Sequence, residues 1–87
     1  MSTIRERLAK QNPEMIFMDG FDDCLIGTSL SYGNSPVACY DVDKIVQSHV
    51  NAGMTPEEAW EYFEYNQLGA YVGDGMPVFF FEDQEPA

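Results

Sequence analysis

Three carboxylates crowd a glycine turn in Asp19-Gly20-Phe21-Asp22-Asp23, and hard cations such as Ca²⁺ or Mg²⁺ take oxygen ligands of this kind. The spacing does not follow a calcium loop, whose ligands fall at positions 1, 3 and 5 with a glutamate at 12. Turn chemistry, helix capping and solvated charge account for these residues more simply. Asp74 lies far along the chain and would join them only through the fold. His49 is the single histidine, so acid–base chemistry would rest on it or on a perturbed carboxylate. Its neighbour Ser48 points about 100° away on a helix and cannot pair with it as nucleophile and base.

Two separated cysteines, Cys24 and Cys39, with one histidine supply too few ligands for a zinc site. Each sits among apolar residues, where a buried free thiol is the usual case, in keeping with a reducing cytoplasm. The chain has no glycine-rich phosphate loop and no basic patch with interleaved aromatics. The expectation is therefore no catalytic residue, no metal and no cofactor. A small metal-dependent hydrolase built on Asp22, Asp23 and His49 is the least favoured alternative.

Charge is the stronger signal. Over 87 residues the net charge is −11, and it is unevenly spread. Arg5, Arg7 and Lys10 against Glu6 give the first ten residues +2; thereafter fourteen acids face Lys44 alone, giving −13. Such a field repels nucleic acid and anionic membranes and attracts basic protein surfaces. One Trp, five Tyr and six Phe set the chain apart from a disordered acidic tail, so the charge is carried on a folded body. No stretch approaches the roughly 20 apolar residues of a membrane span, and no signal peptide is expected.

Several elements must position these groups. Ser2 is expected to cap a first helix through Gln11, with Ile4 and Leu8 on one stripe and Asn12-Pro13 ending it. Met15–Met18 reads as a buried strand. Cys24, Ile26, Thr28, Leu30 and Tyr32 would share one face of a strand, and Val37–Tyr40 would return across Gly33-Asn34-Ser35-Pro36 as a hairpin; a helical turn over 22–26 competes. Asp41 reads as the N-cap of a second helix ending at Gly53, with Val42, Ile45, Val46, His49 and Val50 inward.

Thr55-Pro56-Glu57-Glu58 opens a third helix with a capping box and proline at its first position. Its inner face is expected to hold Ala59, Phe63, Asn66 and Ala70, with Trp60 and Tyr62 on the flanks. Asn66, like His49, is expected to be a structural polar group that finds a partner inside. Glu57, Glu61 and Glu64 fall on the outer face with Glu58 beside them; Glu57 and Glu61 stand roughly 6 Å apart along the axis, a spacing able to imitate a phosphate backbone. Three successive phenylalanines, Phe79–Phe81, cannot share one strand face, so both faces are covered or one meets a second molecule. One α+β domain is expected over 1–87: a small antiparallel sheet, hairpin plus C-terminal strand, against two or three helices, with a first helix within 1–12 and a frayed acidic tail at 82–87.

The stretches Asp19–Asp23, Ile26-Gly27, Gly53–Ala59, Glu61–Asn66, Gly69–Gly73 and Pro77–Phe79 together resemble a group of small phage-encoded proteins of unassigned function. The resemblance spans residues 15–81 and transfers no catalytic residue. It implies a protein that inhibits or redirects a host factor in the host cytoplasm, by analogy of class and charge. Its partner would be a basic surface on a host protein, nucleic-acid-binding proteins included, met by Glu57, Glu58, Glu61 and Glu64 with Asp22, Asp23 and Asp74. A homodimer formed through the phenylalanine strand is the alternative.

Overall fold

Thr3 opens the first helix, accepting the Glu6 amide on its hydroxyl at 3.1 Å, in a computed structural model that describes residues 3–70 and 75–82. Asp74 and residues 83–87, most of the tail expected to fray, lie outside the described residues. Helix α1 is Ile4–Ala9, shorter than expected and capped one residue later, but Ile4 and Leu8 face the core as their spacing requires. Met15–Met18 then runs extended without joining a sheet; Met15 and Met18 are buried and Ile16 is not. The expected strand fails because its backbone is satisfied differently: the Met18 amide donates to the Tyr40 hydroxyl at 2.8 Å.

A 3-10 turn over Asp22–Cys24 leads directly into strand β1, Leu25–Ser29, so the competing turn and the hairpin are both present. Strand β2, Val37–Asp41, pairs antiparallel with β1, and a bulge between Leu25 and Gly27 shifts the register. That extra residue breaks the simple alternation. Cys24 and Leu25 are both buried while Ile26, Leu30 and Tyr32 are exposed, so the expected shared face of these residues does not form.

Asp41 caps helix α2, Val42–Asn51, accepting the amides of Asp43 and Lys44. Val42, Ile45 and His49 are buried and Lys44, Gln47, Ser48 and Asn51 exposed, as the helical periodicity requires. Gly53, at φ +112°, turns the chain into helix α3, Pro56–Phe63, whose Thr55–Glu58 capping box is complete on both sides. The helix continues as a single π-helical turn, Glu64–Leu68, ending at Gly69.

Strand β3, Val78–Phe80, completes a three-stranded sheet of order β1-β2-β3. The fold is α+β with a small sheet packed against helices, as expected. One pairing runs the other way: β3 is parallel to β2, with Tyr40 opposite Phe79, so the sheet is mixed. The chain leaves β2, forms α2 and α3, and re-enters in the same direction, the long crossover that parallel pairing needs. Ala38, Tyr40, Ile45 and Ala59 are wholly buried, and Met18 and Phe63 nearly so.

Candidate functional site

The local signals that build α3 also fix what it shows to solvent. Ala59 and Phe63 face inward, so Glu57, Glu61 and Glu64 are left exposed on its outer surface. None of the three forms an ion pair with a described residue. Glu58 is also exposed but already committed: its carboxylate accepts the Thr55 amide at 3.0 Å while its own amide donates to the Thr55 hydroxyl. The Thr55 backbone N–H foremost, and the Thr55 hydroxyl after it, hold the Glu58 carboxyl below the usual glutamate range.

Trp60 stands among these acids. Glu57 lies one turn before it, and Glu64, whose amide donates to the Trp60 carbonyl, one turn after. The Trp60 ring meets Phe81 edge-on at 5.7 Å and Phe63 at 5.7 Å. Phe63 in turn meets Phe79 at 5.2 Å, and Phe79 lies 6.4 Å from Tyr40. Five rings thus connect the fully buried Tyr40 to Phe81, which is 55% exposed. The sequence pattern pointed to the glutamates but not to this junction of Trp60 with Phe81. The available signal was the third phenylalanine, which alternation along β3 returns to the side of Phe79.

Asp22 and Asp23 occupy the first turn of the 3-10 segment and are exposed. Arg5 reaches Asp22 at 3.4 Å and Asp19 at 3.5 Å and lies over the Phe17 ring at 4.9 Å. The basic N-terminal segment therefore offsets part of this acidic turn, a pairing between residues 17 apart that the separation of charge along the sequence concealed. The 3-10 turn and α3 both pack against α2. Among the described residues, no group of three or more His, Cys, Asp or Glu side chains is placed to share a metal ion.

His49 is buried at 9% exposure between Phe21 and Tyr62, with Nε2 3.2 Å from the Gln67 side-chain oxygen. Asn66 corrects the sequence expectation. It is exposed, its side chain donates to the Tyr62 carbonyl at 3.0 Å, and Gln67 takes the inward position. A π-helical turn holds one more residue than an α-turn, which moves the inner face one place along. Cys24 and Cys39 are free thiols. Burial pushes both above the ordinary thiol range, helped by Asp23 at Cys24 and by Asp41 at Cys39.

An open depression of about 510 Å³ lies at the hairpin end of the sheet, lined by Asn12, Glu14, Ile16, Ser31, Asn34 and Val78 among others. Its lining carries hydroxyls, amides and the Glu14 carboxylate, and among the described residues none of its serines is hydrogen-bonded to that carboxylate. No helix among the described residues is long and apolar enough to cross a membrane. No protein-family model, curated protein or solved structure matches the chain.

Proposed function

We propose that this chain is a small acidic binding protein, of the phage-encoded kind its sequence resembles, that occupies a basic surface on a host protein and so inhibits or redirects it. The observation that carries this reading is the glutamate row of α3: Glu57, Glu61 and Glu64 are exposed and unpaired among the described residues, on a chain of net charge −11. A row of this kind draws a cationic partner and disfavours direct contact with nucleic acid or an anionic membrane. Asp22 and Asp23 extend the negative field, with Asp22 shared with Arg5; Asp74 lies outside the described residues.

Capture from host lysate at low and high salt tests the reading. Reversal of Glu57, Glu61 and Glu64 to lysine should release the partner while Glu58 is left to cap the helix. Capture indifferent to both salt and charge reversal rules the electrostatic reading out.

A second reading, assembly into a homodimer, draws on β3. It is an edge strand of the sheet and exposes Val78 and Phe80. Sedimentation separates the two: a dimer dispersed by Phe80→Ser favours assembly, and a monomer at high concentration removes it. The charge of −11 on each copy opposes self-association.

A further inference from the structure

We propose that the Trp60–Phe81 pair is the anchor of the binding face, and that its occupant is a basic amphipathic protein segment: an apolar side chain seated on the two rings, with arginines or lysines reaching the glutamates around them. This deepens the proposed function and rests on it, since it assigns the partner chemistry of the same helix face.

Three observations carry it. The first is exposure at a junction. Trp60 is 38% exposed and Phe81 55%, and their rings touch edge to face, so two large apolar surfaces lie side by side in water. The second is support from beneath. Trp60 also packs on Phe63, and Phe63 on Phe79, so the exposed pair ends a ring series rooted in the core. An anchor held this way loses little freedom on binding, and rigid aromatic groups are the residues on which interface energy concentrates. The third is the surrounding charge. Glu57 and Glu64 lie one turn either side of Trp60, Glu61 follows it, and Glu82 follows Phe81.

These features select the occupant. An apolar centre inside an acidic rim is the complement of an apolar side chain flanked by cations, and guanidinium groups gain further from aromatic faces. A second copy of this chain would bring its own acids to the rim, and an anionic lipid surface or nucleic acid would be repelled by it.

Because Trp60 is the only tryptophan, its fluorescence reports on this site directly. The probes are two synthetic helical peptides of equal positive charge and without tryptophan. One carries a leucine stripe between its arginines; the other carries alanine at those positions. The leucine peptide should bind about tenfold more tightly and shift Trp60 emission, and Phe81→Ala should remove about that tenfold advantage. Phe81 is half exposed, so its truncation leaves the fold in place, and circular dichroism verifies this. Phe81→Leu should keep most of the affinity.

Equal binding of the two peptides with unmoved Trp60 emission overturns the anchor while leaving the acidic face standing. Failure of both peptides to bind, or binding unaffected by reversing Glu57, Glu61 and Glu64, overturns the acidic face itself and the anchor with it. A dimer in sedimentation that Phe81→Ala converts to monomer overturns the anchor in favour of a second copy.

Discussion

The side-chain oxygen of Gln67 lies 3.2 Å from Nε2 of His49, inside the contact between α2 and the π-helical turn that follows α3. With its proton on Nε2, the imidazole donates to the amide oxygen, so two buried polar groups satisfy each other. Phe21 and Tyr62 close on the ring edge to face, at 5.9 and 4.8 Å. The π-turn brings Gln67 rather than Asn66 to this position, and a substitution pair can read that phase.

Gln67→Ala should destabilise the protein by about 1–3 kcal/mol, because it leaves a buried His49 nitrogen without its partner. Asn66→Ala, at an exposed position, should change stability by about 0.5 kcal/mol or less. Urea unfolding of the two variants, with unchanged slope, measures both. The reverse order would mean that the helix keeps ordinary α periodicity through Asn66.

What was legible in the sequence was mostly local. The Asp41 cap, the inward face of α2 and the Thr55–Glu58 box depend on residues within four positions of each other, and all three are found. What was missed needed partners distant in sequence. The direction of β3 depends on a crossover through two helices. The fate of Met15–Met18 depends on a hydroxyl 22 residues away, and the partial neutralisation of Asp22 on a guanidinium 17 residues away. The bulge at Ile26 and the π-turn at Gln67 each insert one residue, which strict periodicity cannot anticipate. The site divides the same way: the glutamate row was legible, the aromatic junction beside it was not.

Tyr40→Phe tests the most buried of the polar contacts. The Tyr40 hydroxyl accepts the Met18 amide at 2.8 Å, and both residues are almost wholly inaccessible. The substitution keeps the ring and its packing on Phe79 but strands that amide. A loss of about 1–3 kcal/mol is expected, read as a lower urea midpoint. Hydrogen exchange at the Met18 amide should quicken as well.

The capping box predicts both a stability loss and a pH signature. Thr55→Ala removes the acceptor for the Glu58 amide and should cost about 1 kcal/mol. Glu58 is harder to protonate in the folded protein than in the unfolded chain, chiefly because of the Thr55 backbone bond. Its contribution is therefore intact above the unfolded glutamate range and is lost as pH falls through the lowered folded value. Glu58→Gln can still accept the Thr55 amide but does not titrate, so acid unfolding of that variant should begin at lower pH. An unchanged acid transition would show that Glu58 adds nothing to it.

The two thiols should be slow to react. Burial raises both Cys24 and Cys39 above the ordinary thiol range, so little thiolate is present at neutral pH. A disulfide-exchange reagent should label the native protein slowly and the urea-unfolded chain at once. Since the folded thiols hold their protons more firmly, this contribution to stability is complete below the unfolded cysteine range and declines as pH rises through the folded values. Rapid labelling of Cys24 in the native state would contradict its burial.

Neutralising the glutamate row should move stability and binding in opposite directions. Glu57 and Glu61 stand at i, i+4 on α3 and Glu64 follows at i+3, so like charges crowd one face with no described ion pair to relieve them. Replacing all three with glutamine removes that repulsion and lowers the net charge from −11 to −8, leaving the capping box and the inward face untouched. Thermal unfolding at low salt should shift upward by a few degrees, and the gain should shrink as salt screens the parent protein. The same variant should lose affinity for a cationic partner, most of all at low ionic strength. A row that is only a solvated face would give the stability gain with no loss of binding; a row kept for recognition gives both.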